Sequence, residues 1–220
     1  MYKTGEKQKV VRYNNPMIKL VYLVRHGQYH NPRGIYPGRL PVPLSKEGRA
    51  EVSRLCTYFK DKNIEKIYSS SVLRCKQTST IISDDSIPIQ YDIRLLETFS
   101  AYQGYWSLGK TGHVPGSWDE FYTHMNQLGG EDYKEVQARM VSFFNDLLTW
   151  TDKNVIICSH GDPLQSLYYH LSGQQLPTVE EEKGELGNPL YQKKASVRLL
   201  TIEDGQYTFD TLVTQEDLMG

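Results

Sequence analysis

The sequence predicts an α/β fold: a three-layer sandwich with a mainly parallel sheet, helices on both faces and a C-terminal antiparallel hairpin. Three observations carry that expectation. Short apolar runs, Ile18 to Val24, Lys66 to Ser69, Ile87 to Tyr91 and Asn154 to Cys158, alternate with segments of helical spacing. The first and last of these runs are β-branched and aliphatic enough to be buried on both faces, as strands of a helix-covered parallel sheet are. Near the end of the chain, Ser196 to Glu203 and Gln206 to Val213 alternate in polarity around Asp204-Gly205, a two-residue hairpin signal.

Taken in order, the first strand runs directly into Arg25-His26-Gly27, which places those residues at a carboxyl end. A stretch rich in breakers follows (Pro32, Gly34, Pro37, Gly38, Pro41, Pro43) and reads as an ordered loop beside them. Ser45 can cap a helix whose apolar positions Val52, Leu55, Cys56 and Phe59 share one face, ending near Lys60. After the second strand, Ser69 to Thr78 opens a helix over Val72 to Ile82, with Arg74 in its first turn behind a serine cap. From Leu95 to Gly130 the periodicity weakens while aromatics and glycines accumulate, which suits a lid or cap excursion over 95–130. Helical spacing returns from Glu131 to Trp150. The fourth strand ends at Ser159-His160-Gly161, and a helix over Leu164 to Leu171 follows, with Pro163 in its first turn and Gly173 at its end.

At 220 residues, with 39% hydrophobic and 23% charged residues and a formal net charge of -1, the chain can bury one core and shows no global attraction for polyanions. We therefore expect a polar arm over 1–17, one catalytic domain over 18–220 and no nucleic-acid partner. No apolar stretch approaches the roughly 20 residues of a membrane span, and no membrane partner is expected. Cys56, Cys75 and Cys158 are odd in number and widely spaced, without a Cys-x-x-Cys pair, which fits buried free thiols in a reducing, cytoplasmic setting. His30, His113, His124 and His170 read as structural. The aromatics Tyr102, Tyr105, Trp106, Trp118, Phe121 and Tyr122 suit a supporting mini-core or a substrate wall equally, and Glu180 to Glu185 reads as a solvated turn.

Two apolar strands each deliver a histidine followed by glycine, and in a parallel sheet their carboxyl ends can lie side by side, where ligands bind. Glycine after each histidine removes bulk and permits unusual backbone angles, so amides can approach a phosphate. Arg74 can grip such a phosphate bidentately. Two arginines and two histidines at one sheet edge would repel one another unless an anion binds.

Leu23-Val24-Arg25-His26-Gly27, the Pro43-Leu44-Ser45 to Gly48 helix entry, Ser70 to Thr78, Leu95-Leu96-Glu97 and Ser159-His160-Gly161-Asp162 together resemble the histidine phosphatase superfamily, in the branch with cofactor-dependent phosphoglycerate mutases and small-molecule phosphatases. The resemblance spans roughly residues 18–172. It implies His26 as nucleophile, Arg25, Arg74 and His160 as the groups holding the transferred phosphoryl, and Glu97 as proton donor. A neutral imidazole is available to attack phosphorus near neutral pH. Fixed cations can neutralise the phosphoryl oxygens without a metal, and no cofactor is implied.

The chain also departs from the family pattern. Gln28-Tyr29 replaces the usual acidic residue and Ser or Thr, and Asn31, a candidate phosphate donor, comes one residue early. Cys75 stands where Ala is common, and Thr98 to Gly104 lacks the usual glycine and acid. Asp162 is the rival donor to Glu97. The expected activity is hydrolysis of a small-molecule phosphate monoester through a phosphohistidine on His26. The alternatives are a phosphoglycerate-type mutase of the same chemistry and, from another class, a catalytically silent phosphate-binding protein. Substrate and oligomeric state are not written in these motifs.

Overall fold

A computed structural model describes residues 18–104, 126–176 and 190–219. The arm 1–17, the excursion residues Tyr105, Trp106, His113, Trp118, Phe121, Tyr122 and His124, and the Glu180 to Glu185 stretch lie outside the described residues. The elements are β1 (Lys19–Arg25), α1 (Lys46–Phe59), β2 (Lys66–Ser69), α2 (Leu73–Ser83), β3 (Ile89–Tyr91), α3 (Tyr133–Trp150), β4 (Val155–Ser159), α4 (Gly161–Leu171), β5 (Val197–Glu203) and β6 (Gln206–Phe209).

One six-stranded sheet runs in the order β3-β2-β4-β1-β5-β6. The first four of these are mutually parallel, while β5 lies antiparallel to β1 and β6 antiparallel to β5. Alternation along β1 sorts the two faces. Val21 and Leu23 pack with Met140, Phe143, Phe144 and Leu147 of α3 and Leu164 and Leu167 of α4. Tyr22 and Val24 pack with Val52, Leu55 and Phe59 of α1 and Cys75 and Ile82 of α2. Both faces are buried, so β1 and β4 need the unbroken apolar runs the sequence carries. Among the described residues, no helix is long and apolar enough to cross a membrane.

The caps explain two helix starts. The Ser45 side chain accepts from the Gly48 amide at 3.0 Å, opening α1. Asp132 and Glu135 form a capping box at the start of α3, satisfying two amides reciprocally. The serine cap expected for α2 is not formed: its N-cap is Val72, without a side-chain cap, while Ser70 Oγ accepts from the Val72 amide at 3.3 Å and from His160 Nε2 at 2.8 Å. The hairpin takes Asp204 at φ 49° and Gly205 at φ 77°, the left-handed pair that a tight two-residue turn requires. Its second strand stops at Phe209 rather than Val213, which instead forms an isolated bridge to Val197. The third strand is shorter than expected, and α4 begins three residues earlier, at Gly161.

Candidate active site

The register of the two central strands assembles the site. Arg25 pairs with Ser159 across the parallel β1–β4 ladder, and the His26 amide donates to the Ser159 carbonyl at 3.1 Å. His26 and His160 therefore leave neighbouring strand ends together, with ring centroids 5.1 Å apart. β2 pairs with β4 on the other side and feeds α2, whose first turn carries Arg74 into the same space. The breaker-rich loop folds back over it: His30 donates to Pro43, Ser45 donates to Gln28, and Tyr29 bridges Leu44.

Both glycines of the His-Gly pairs are needed for room rather than for unusual angles, since neither has positive φ. A Cβ at Gly27 would lie 2.7 Å from Val52 Cγ2 and 2.8 Å from the Gly48 carbonyl oxygen. One at Gly161 would run into the Tyr191 hydroxyl. At Gly27 the α1 backbone leaves no room for a Cβ, and at Gly161 a Cβ would have to displace the Tyr191 ring.

Hydrogen-bond partners assign the imidazole tautomers. His26 Nδ1 lies 2.8 Å from the Gly27 carbonyl, which can only accept, so that nitrogen carries the proton. His26 Nε2 accepts from Arg74 Nε at 3.0 Å and holds a lone pair. His160 Nδ1 accepts from Arg74 Nη2 at 2.9 Å, which leaves the proton on Nε2, donated to Ser70 Oγ at 2.8 Å. Arg74 Nη2 also donates to the Gly38 carbonyl at 2.8 Å and to Glu97 Oε2 at 3.2 Å. Three acceptors thus share two hydrogens on Nη2. Arg74 Nη1, by contrast, is buried and has no hydrogen-bond partner among the described residues.

Burial dominates the electrostatics. It pushes the His26 pKa well below the ordinary imidazole value, and the Arg74 and Arg25 cations push the same way. His160 is depressed in the same sense by burial, then by Arg74. Both rings are therefore neutral near pH 7. Burial raises the Glu97 carboxyl above its ordinary range, while the Arg74 guanidinium opposes part of that rise. Arg25 donates to the Gln192 carbonyl at 2.8 Å, and its guanidinium lies 5.2 Å from the Tyr191 ring centroid.

The two acids flagged in the sequence sit differently. Glu97 Oε2 lies 3.4 Å from His160 Nδ1 and touches Arg74, inside the cluster. Asp162 lies in the first turn of α4 and accepts from the Tyr191 hydroxyl at 2.7 Å. Asn31 spends its amide locally: Nδ2 donates to the Ile35 carbonyl at 2.8 Å, and Oδ1 accepts from the Ile35 amide at 3.1 Å.

Sequence reasoning missed several neighbours. Tyr29 places its ring 5.7 Å from that of His26, and the same ring carries the Arg74 guanidinium and the Lys194 ammonium, each 5.6 Å from its centroid. Lys194 also adds to the depression of His26. Ser70 was legible only as one of three serines before α2. Tyr191, Gln192 and Lys194 precede the last strand pair and reach the site through the β1–β5 pairing, which no local motif announces.

His26, Glu97 and His160 each offer one ligating atom, all within 4.8 Å of one another. Arg74 donates to one atom of each, at 3.0, 3.2 and 2.9 Å. A fixed cation at their shared point disfavours a metal ion there and favours an anion.

A family profile described as the histidine phosphatase superfamily, branch 1, matches residues 21–215. Phosphoserine phosphatase 1 of Hydrogenobacter thermophilus is 28% identical over 171 residues, covering 73% of this chain and 79% of that protein. Phosphoglycerate mutase 1 of Saccharomyces cerevisiae is 29% identical over 196 residues, covering 71% of this chain and 79% of that protein. The solved structure of the alpha-ribazole phosphatase from Shigella flexneri superposes with a TM-score of 0.74 at 20% identity, covering 89% of this chain and 96% of that one. That last likeness speaks for the fold alone.

Proposed function

The chain belongs to the histidine phosphatase superfamily, branch 1, and from that premise we propose that it hydrolyses small phosphate monoesters through a phosphohistidine formed on His26. One observation carries the reading. Arg74, fully buried, links His26, His160 and Glu97 and still has a guanidinium nitrogen without a partner among the described residues. A buried unsatisfied cationic donor is costly unless an anion meets it.

The step follows from the tautomer. His26 Nε2, neutral and accepting from Arg74 Nε in this structure, attacks phosphorus once the substrate phosphate takes over that donor, and the bond to the leaving oxygen breaks. Nδ1–H against the Gly27 carbonyl then stabilises the cationic ring that forms. Arg25 and Arg74 neutralise the phosphoryl oxygens, and His160, neutral, lines the same pocket beside them. Asn31 we assign to bracing its own loop, given that its amide is spent on Ile35.

Glu97 is the proton donor we favour over Asp162. Burial raises its carboxyl toward the protonated form, and its Oε2 lies within the cluster. After the alcohol leaves, the same carboxylate takes a proton from the water that attacks the phosphohistidine. Glu97→Gln is expected to slow esters with poor leaving groups, such as alkyl phosphates and phenyl phosphate, by about 10²- to 10⁴-fold. 4-Nitrophenyl phosphate, whose leaving group needs little protonation, should lose far less. Equal losses on both, read as kcat/KM, would move the donor role to Asp162 or another group.

Hydrolysis is preferred to mutase chemistry because the segment after Glu97 departs from the mutase pattern. Relatives bear both kinds of name. The free thiols Cys56, Cys75 and Cys158 fit the cytoplasmic setting we propose. Release of inorganic phosphate across a panel of phosphorylated metabolites tests the activity and identifies its substrate.

A further inference from the structure

Among the groups gathered at the site, Glu97 stands on the least regular backbone. His26 and His160 directly follow strands, Arg25 ends one, and Arg74 lies in the first turn of a helix. Glu97 follows a single short turn of 3-10 helix, Ile93–Leu95, and belongs to no strand or helix. Its position therefore depends on side chains that grip the backbone around it.

Two residues do so directly. Arg39 Nε donates to the Glu97 carbonyl at 2.7 Å, and Arg39 Nη2 donates to Glu131 Oε2 at 2.8 Å. Glu131 Oε2 also accepts from the Phe99 amide at 2.8 Å, and the Glu131 amide donates to the Phe99 carbonyl at 2.9 Å. The Arg39 guanidinium lies 5.2 Å from the Phe99 ring centroid. Behind this pair, Arg139 reaches Glu131 through Nε at 2.9 Å and Nη2 at 3.0 Å, and donates Nη1 to the Arg94 carbonyl. Burial would raise the Glu131 carboxyl, yet the Arg139 contacts leading the opposing effects hold it below its ordinary range. It is thus an ionised group shared between two arginines.

We propose that Arg39 and Glu131 are positioning residues for the proton donor: they clamp residues 97–99 at both ends, so that the Glu97 carboxyl is held at the leaving oxygen. The proposal rests on the reading of Glu97 as the acid. Neither residue touches the reacting atoms; both act through the backbone that carries Glu97. A positioned acid is sensitive to small displacements, since a misplacement of about 1 Å can cost about 10²-fold.

The test is leaving-group dependence in a matched pair of probes, phenyl phosphate and 4-nitrophenyl phosphate, which differ little in shape but much in the protonation they need. In Arg39→Met and in Glu131→Gln, kcat/KM is expected to fall about 10- to 100-fold further for phenyl phosphate than for 4-nitrophenyl phosphate. The double variant should be no more selective than the worse single one, because both act through the same geometry. Arg94→Met, which breaks the Arg94 pairs with Asp92 and Asp146 on the same stretch of chain, serves as the structural control and should leave the ratio unchanged.

Equal losses on both probes in Arg39→Met and Glu131→Gln, tracking thermal stability, would overturn the proposal and leave the clamp a purely structural feature. Glu97→Gln is measured alongside. If it is leaving-group selective and the clamp variants are not, only the positioning role falls. If Glu97→Gln is itself unselective, the acid assignment falls and the positioning role with it.

Discussion

Replacing His26 with alanine is expected to reduce phosphate release from 4-nitrophenyl phosphate by at least about 10³-fold, or about 4 kcal/mol of transition-state stabilisation. The size follows from the role. Without Nε2 no covalent phosphoenzyme forms, and water would have to attack phosphorus directly in a site shaped for an imidazole. The fold should survive the change. The backbone bonds of residue 26, to the Ser159 carbonyl and from the Ala195 amide, do not involve the ring. Arg25, Arg74 and His160 also remain, so inorganic phosphate should still bind as a competitive inhibitor of the wild-type reaction would. Loss of turnover with phosphate affinity retained therefore separates a missing nucleophile from a collapsed pocket, and thermal melting of the variant checks the same point.

Arg74→Lys is expected to lower kcat/KM by about 10²- to 10³-fold, the scale for removing a preorganised donor to transition-state charge. Lysine keeps the positive charge, so the loss isolates geometry. A single ammonium on a flexible stem cannot reach His26 Nε2, His160 Nδ1 and Glu97 Oε2 together, as the guanidinium does at 3.0, 2.9 and 3.2 Å. Arg74→Met separates the charge. Removing the cation that opposes the rise of the Glu97 carboxyl moves its pKa further up, and both histidines lose a charge that holds them down. The acid limb of the rate profile, which reports neutral His26, should consequently move to higher pH in Arg74→Met while staying near its wild-type position in Arg74→Lys.

What the sequence revealed depended on how local the cause was. The β1 and β4 runs were readable because both sheet faces are buried and the apolar pattern has no interruption. The hairpin was readable because Asp204-Gly205 alone satisfies two left-handed positions. Arg25, His26, Arg74 and His160 were readable because each sits at the end of a recognisable element, and the strand register does the rest.

Other features depend on tertiary contact. The serines before α2 suggest a helix cap, yet the Ser70 hydroxyl meets His160, arriving from 90 residues along the chain. Tyr29 and Lys194 meet only because the loop after β1 and the segment before β5 converge. Gly27 and Gly161 suggested both small bulk and unusual backbone angles, and neighbouring Val52 and Tyr191 call only for the small bulk. The Arg39–Glu131 clamp carries no motif at all, being made across 92 residues of separation.

Rapid quenching of wild-type enzyme with 4-nitrophenyl phosphate, followed by peptide mass spectrometry, reads out a covalent phosphate on His26. A phosphoryl adduct is expected on the peptide containing Arg25-His26-Gly27, stable to alkali and lost in acid, and none in His26→Ala. An adduct on a different residue, or an undiminished phosphate release by His26→Ala, would contradict it.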